Sequence, residues 1–237
     1  MLSPKQLPNI LFLDIETVPN TYQYNDLDAE TQRLWALKTN YLQVQKQLTP
    51  EEVYEKAGIY AEFGKIVCIS VGYFRKDEFR VTSFAGHDEK EVLQSFSNVL
   101  NNHFNKSHHY LCAHNGKEFD FPFIARRLLI CGLPLPTSLN LAGKKPWEVK
   151  HIDTMELWKF GDYKHYTSLQ LLAHVFNIPT PKDDISGADV AKVYYEENDL
   201  NRIVTYCQKD VVTIARLYQR FLNLTPLTEN QIKYANS

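Results

Sequence analysis

Apolar and polar positions along this chain switch between a period of two and a helical period, and the switches lay out its elements. Ile10 to Asp14 (ILFLD) is an unbroken apolar run ending in an acid. That is the pattern of a buried central strand whose C-terminal end reaches a site. Ile66 to Phe74 (IVCISVGYF) is rich in β-branched and aromatic residues, and beyond polar Arg75 to Asp77 comes the alternating Phe79 to Phe84 (FRVTSF); together they predict a hairpin. Val92, Leu93, Phe96, Val99 and Leu100 recur at helical spacing between Glu89 and Phe104. Tyr110 to Ala113 predicts a short strand leading into His114, Asn115 and Gly116, and Phe121, Ile124 and Leu128 predict a helix whose first turn accommodates Pro122. His151 to Trp158 fits either a strand or a helix start, because Asp153 and Glu156 are spaced as in a capping box. Further helices are predicted at Ser168 to Phe176, Ser186 to Tyr195 and Leu200 to Leu222. Strands precede interspersed helices, which implies an α/β fold with a mixed sheet.

Two segments depart from this layout. Between Pro19 and Gly64 strand signals are few and Thr49, Pro50 and Glu52 mark a helix start, so residues 19–64 read as a helical insertion able to lie over the site after the first strand. Pro134 to Lys164 mixes lysines and acids with Trp147, Trp158, Phe160 and Tyr163, and Tyr166 follows just beyond. Such interleaving suits base stacking and phosphate contact, and it equally suits a solvated loop.

Length and composition narrow the class. At 237 residues, 44% hydrophobic and 23% charged, the chain reads as one large globular domain over 1–237 rather than a disordered, collagenous or coiled-coil protein. With 26 basic and 28 acidic residues the formal charge is −2, so no global basic field recruits nucleic acid and an anionic partner must be held locally. Cys68, Cys112, Cys131 and Cys207 fit neither a zinc spacing nor a dense disulfide framework, and are expected to be reduced and mostly buried. The N-terminal apolar run is too short for a signal peptide, and no stretch is long enough to span a bilayer. A cytoplasmic protein without membrane contact is expected.

Candidate chemistry lies in three places. Asp14 and Glu16 flank Ile15, and the strand period puts both carboxylates on one face. Such a pair repels unless a cation sits between its members, and an oxygen-only donor set suits Mg²⁺ or Mn²⁺ better than zinc. Two acids there also fit a solvated loop entry. Tyr206 and Asp210 stand one helical turn apart, with Asp210 near the stripe of Ile203, Cys207, Val211, Ile214, Tyr218 and Phe221. An acid drawn toward a core needs a cation or an arginine. Asp120 fits a helix N-cap, and Asn115 fits a cap or a substrate contact.

The order of these signals is D-x-E (Asp14, Glu16), N-x-x-x-F-D (Asn115, Phe119, Asp120) and Y-x-x-x-D (Tyr206, Asp210). It resembles the three motifs of the DnaQ-like, or DEDD, superfamily of 3′-to-5′ exonucleases in its tyrosine-bearing (DEDDy) subclass. The segments LFLDIETVP, GKIVCISVGYF, AHNGKEFDFPFIARRL and YCQKDVVTIARLY look most like the stand-alone PolB-like exonucleases, related to the proofreading domain of family B DNA polymerases. The subclass resemblance is supported by Thr205, which stands where other members carry a histidine.

The resemblance implies a ribonuclease H-like fold with a five-stranded mixed sheet flanked by helices, the second strand antiparallel. It implies two divalent cations, Mg²⁺ or Mn²⁺, held by Asp14, Glu16, Asp120 and Asp210, with Tyr206 orienting the attacking water. Thr17, Asn115 and Phe119 become candidates for contact with the terminal nucleotide. The implied partner is the 3′ end of a nucleic acid, single-stranded DNA foremost, with proofreading for a DNA polymerase or repair complex exercised in trans because no polymerase region is visible. The competing readings are an RNase D-like exoribonuclease, a catalytically silent domain that binds nucleic-acid ends or a polymerase, and an unrelated α/β binding domain.

Overall fold

Ile10–Pro19 form the central strand β1, and burial alternates along it between two sides of the sheet. A computed structural model describes residues 3–162, 166–179 and 185–235, the Pro146 side chain excepted; Tyr163 and Lys164, named above, lie outside the described residues. Leu11, Leu13 and Ile15 join the cluster formed with α2 (Glu89–His103) and α3 (Asp120–Ile130). Ile10 and Phe12 pack on the other side against Val211, Ile214 and Tyr218 of α7 (Leu200–Phe221). The same alternation carries Asp14 and Glu16 toward α7.

β1 pairs antiparallel with β2 (Gly64–Arg75) and parallel with β4 (Tyr110–Ala113). β2 continues into the predicted hairpin with β3 (Glu78–Ala85), and β5 (Ile152–Asp153) extends the other side parallel to β4. The sheet has six strands in the order β5-β4-β1-β2-β3-β6, one more than the five expected. The extra strand is β6 (Ile232–Tyr234), parallel to β3 at the edge; three residues are too few to carry a readable period. This is a ribonuclease H-like α/β fold with a mixed sheet flanked by helices. Gly72 lets α7 lie close on β2, since a Cβ there would meet the Phe79 ring at 2.4 Å and Val211 Cγ1 at 2.9 Å.

Other expectations need correction. β1 does not end at Asp14 but runs on to Pro19. Its ladder with β2 pairs Glu16 with Cys68 and Thr17 with Ile66, leaving Val67 unpaired as a bulge. In the segment between β1 and β2 the long helix is α1 (Ala29–Lys46), capped by Asp28, which accepts from the Glu30 and Thr31 N–H groups at 3.0 Å each. The signal at Thr49 is a reciprocal cap, with Thr49 N–H to Glu52 Oε2 at 2.7 Å and Glu52 N–H to Thr49 Oγ1 at 3.2 Å. It leads only to a 3₁₀ turn over Tyr54–Ile59, where Gly58 packs tightly beneath Val18. The ambiguous His151–Trp158 segment realises both readings in succession: β5 ends at Asp153, which then caps α4 (Thr154–Lys159). α5 (Leu169–Val175) follows prediction, whereas Ser186–Tyr195 yields only the short α6 (Val190–Lys192) and a π-helical turn over Val193–Glu197. Among the described residues no helix is long and apolar enough to cross a membrane.

One buried ion pair joins the layers. Arg127 of α3 reaches Glu89 of α2 with Nε to Oε1 at 2.9 Å and Nη2 to Oε2 at 2.5 Å, and its Nη1 donates to the Ala61 carbonyl at 2.8 Å. Glu89 Oε1 also accepts the Ile66 N–H at 2.7 Å, so the pair fixes the start of β2. Removing one partner strands the other charge in the interior. Arg127→Met is therefore expected to cost about 3–5 kcal/mol, and adding Glu89→Gln should recover part of the loss. Urea unfolding midpoints check this, and a midpoint unmoved by Arg127→Met would contradict it.

Candidate active site

Two carboxylates reach the α7 side of the sheet from adjacent same-face positions of β1. Glu16 is buried and Asp14 partly exposed. Cys207 of α7 meets them, its Sγ 3.4 Å from both the Asp14 carbonyl oxygen and Asp14 Oδ2, and one ligand atom each from Asp14, Glu16 and Cys207 lie within 4.8 Å of one another. One residue further along α7, Gln208 Nε2 donates to Ser83 Oγ at 2.9 Å and so pins the helix to β3.

Asp120 arrives from the other side of the sheet. After β4 the chain turns at Asn115, whose φ of 63° is a left-handed conformation that asparagine tolerates. Gly116 follows where a Cβ would sit 2.4 Å from that of Ala113. The turn delivers Asp120 as the first residue of α3 rather than as its N-cap, which is Phe119. Asp120 is buried, and the backbone N–H of Ile15 on β1 hydrogen-bonds its carboxylate.

The electrostatics show that these acids converge with Asp210. Burial first, then Asp210, Glu16 and Asp120 hold the Asp14 carboxyl well above the usual range, with the Cys207 thiol opposing. Burial and then Asp210, Cys68 and Asp120 do the same to Glu16. Asp120 is raised to about 7, chiefly by burial, with Asp153 and Asp210 adding to it and backbone N–H donors opposing. Carboxyls that raise one another in this way form a donor set that a hard divalent cation would neutralise. The Cys207 thiol, pushed far up by burial and then by Cys68, stays protonated and leaves the oxygens as donors.

The remaining sequence candidates are placed as follows. Tyr206 sits one turn before Asp210, half-buried against the cluster around Cys207. Thr17 pairs with Ile66, whose side chain lies in the cluster on the α2 and α3 side, so the ladder turns Thr17 away from α7. Phe119 packs on Phe123 at 5.4 Å between ring centroids, next to Asp120. Asn115 Oδ1 is buried with no hydrogen-bond partner among the described residues.

Two further residues, which the sequence reading named without assigning them to the site, border it. Asp153 accepts four backbone N–H groups: Asn115 and Met155 at Oδ1 (3.0 and 2.9 Å), Glu156 at Oδ1 (3.2 Å) and Lys117 at Oδ2 (3.0 Å). It thereby fixes the turn that delivers Asp120; its cap spacing was the available signal. Tyr166 lies close enough that Asp120 and Asp153, after burial, raise its phenol. A cavity of about 690 Å³ runs from Asn115 and Asp153 along Phe121, Ala125 and Leu129 of α3, and Asp14, Glu16, Asp120 and Asp210 are not among its lining residues.

The family model of the RNase H superfamily matches residues 54–222. A DNA polymerase of Pyrococcus horikoshii is 23% identical over 211 residues, 75% of this chain and 17% of the polymerase. A DNA polymerase of Pyrococcus glycovorans is 21% identical over 182 residues, 68% of this chain and 23% of that one. The chain thus spans about a fifth of the length of these relatives. Among solved structures, the family B DNA polymerase of the hyperthermophilic archaeon Pyrobaculum calidifontis superposes with a TM-score of 0.52 at 14% identity, over 87% of this chain and 24% of that chain. At this identity the likeness is one of fold.

The raised carboxyls set a pH dependence. An acid whose pKa is higher folded than unfolded contributes stability in full below its ordinary value and loses it as pH rises through the folded value. For Asp120 that window runs from the ordinary 3.8 to about 7. In chelator, the melting temperature should fall between about pH 4 and pH 7, Mn²⁺ should restore it most at the upper end, and Asp120→Asn should flatten the fall. A melting temperature in chelator that climbs over this range would refute the convergence of the four acids.

Proposed function

Because the chain belongs to the RNase H superfamily, we propose that it is a metal-dependent 3′-to-5′ exonuclease that removes nucleoside monophosphates from the 3′ end of single-stranded DNA. The observation that carries this reading is the convergence of Asp14, Glu16 and Asp120 with Asp210, each of the first three raised by its neighbours, since a bound cation makes such a cluster favourable with its members ionised. The order of the three motifs supports the DEDDy assignment. The polymerase relatives support DNA as the polymer.

In this reading Asp14, Glu16 and Asp210 would hold one divalent cation, and Asp14 with Asp120 would hold a second. Two Mg²⁺ or Mn²⁺ ions would supply activation of the attacking water and charge neutralisation at the departing 3′ oxygen. Water attacks the terminal phosphorus, the bond from phosphorus to the 3′ oxygen breaks, and a proton ends on that oxygen. Tyr206 orients the water through its hydroxyl. Phe119 and Asn115, beside Asp120, flank the terminal nucleotide, whereas Thr17, turned away from α7, is not assigned a contact with it; the cavity along α3 offers an apolar floor to a base further up the strand. Residues 1–237 act as one domain in this reading, with residues 19–64 as a helical excursion.

Matched 3′-labelled and 5′-labelled single-stranded DNA and RNA, incubated with Mn²⁺, Mg²⁺ or chelator, test this. Stepwise 3′ shortening of DNA that chelator stops is expected. Faster RNA loss would instead indicate an exoribonuclease, and no cleavage of either polymer would indicate a silent end-binding domain. Asp14→Ala or Asp210→Ala should lower kcat by about 10³-fold or more with the fold intact. Tyr206→Phe should cost less, because only water positioning is lost; if it matches wild type across pH, Tyr206 merely packs.

A further inference from the structure

β2 begins with a cation that its surroundings position but do not neutralise. Lys65 pairs across the ladder with Val18, which shares a face of β1 with Asp14 and Glu16 and lies two residues beyond Glu16. Val18 packs in the same cluster as Tyr194 and Cys207, so Lys65 stands on the α7 side of the sheet. There its Nζ lies 4.9 Å from the ring centroid of Tyr194 and 5.5 Å from that of Tyr195, and it donates to Tyr194 Oη at 3.3 Å. Both tyrosines belong to the π-helical turn over Val193–Glu197. Tyr195 is itself fixed, stacked on Tyr22 at 4.9 Å and donating its hydroxyl to the Pro19 carbonyl at 2.6 Å. Among the described residues no carboxylate pairs with Lys65. Acids on the flanking segments are engaged elsewhere: Glu196 accepts the Tyr22 hydroxyl, and Asp88 caps α2 by accepting the Lys90 and Glu91 N–H groups at 2.8 and 3.3 Å. Aromatic faces hold an ammonium without cancelling its charge, and Tyr194 takes only one of its three N–H donors.

We propose that Lys65 and His87 form a phosphate-binding site that holds the backbone of the substrate strand on the face that carries the carboxylate cluster. For the identity of the strand this rests on the exonuclease reading above. Tyr194 links the two residues. An ammonium can only donate, so the Tyr194 oxygen accepts from Lys65 and its own O–H is left to donate; the acceptor in place is His87 Nδ1 at 2.9 Å. A ring whose Nδ1 accepts carries its proton on Nε2. His87 is exposed and Lys65 partly so, which leaves a cation and a neutral N–H donor open to a ligand. That pair, oriented through a shared hydroxyl, matches an anion with more than one oxygen to offer. With a net charge of −2 the chain has no general field for such an anion and must hold it locally, beside acids that would otherwise repel it.

Anisotropy of a fluorescent single-stranded DNA as salt is raised tests this, in the full chain carrying Asp210→Ala to prevent cutting. Adding Lys65→Met, which keeps the apolar stem between the rings, should weaken binding about tenfold near 0.1 M salt. It should also make the slope of log affinity against log salt shallower by about 0.7, the share of one phosphate contact on a single strand. Lys65→Gln should give the same slope as Lys65→Met, and Lys65→Arg should keep the parent's. His87→Ala should weaken binding about threefold and leave the slope alone, because a neutral donor displaces no counterion. Lys233→Met, on the edge strand β6, should change neither quantity. A slope unmoved by both Lys65→Met and Lys65→Gln, in a parent that binds DNA, would overturn the proposal and leave the exonuclease reading standing. An equal change from Lys233→Met would overturn it too, since the slope would then report overall charge. A parent that binds neither DNA nor RNA at any salt would sink the exonuclease reading and this site with it.

Discussion

The constraint on which the rest depends is like-charge repulsion. Asp14, Glu16, Asp120 and Asp210 are brought together from β1, α3 and α7, and each pair that acts does so to disfavour ionisation. The carboxyls repel one another, so their convergence is imposed by the elements that carry them. The apolar clusters on the two sides of β1 supply that force, one through α2 and α3 and the other through α7. Burying large aliphatic and aromatic side chains contributes about 1.5–3 kcal/mol apiece, and several such residues suffice to hold a few carboxyls in unfavourable company.

The thiols behind the cluster follow from the same constraint. Cys68 pairs across the ladder with Glu16, and Cys207 donates to Asp14. A cysteine is small and apolar enough for a buried site, yet still offers a weak donor to a carboxylate. A cation-bearing side chain in either place would neutralise the acids permanently and occupy the ground on which a metal would act.

What was legible in the sequence was local and periodic. The alternation of β1 puts Asp14 and Glu16 on one face, the hairpin announces itself at Arg75 to Asp77, and the stripe of α7 runs as read from Ile203 to Tyr218. The five positions Asp14, Glu16, Asp120, Tyr206 and Asp210 could be named from short-range spacing; their convergence followed only from the family resemblance, because it depends on helix docking. The misses are of another kind. α1 was misplaced because it buries little of its own apolar surface and so lacks a core-facing stripe, and β6 was missed because it borrows its partner from a distant edge. The bulge at Val67 leaves no trace in a hydrophobic run. The cap spacing of Asp153 accounts for its donors Met155 and Glu156, but not for Asn115 and Lys117, which lie almost forty residues upstream.

That last residue has a mechanical consequence. Because one carboxylate gathers amides from the Asn115–Lys117 turn and from the first turn of α4, neither segment can open without stranding donors of the other. The two behave as a single cooperative unit in native-state fluctuations, with one shared opening free energy. Hydrogen exchange at Asn115, Lys117, Met155 and Glu156 would then decay together, and any breathing that admits a substrate strand has to occur in chain segments other than these.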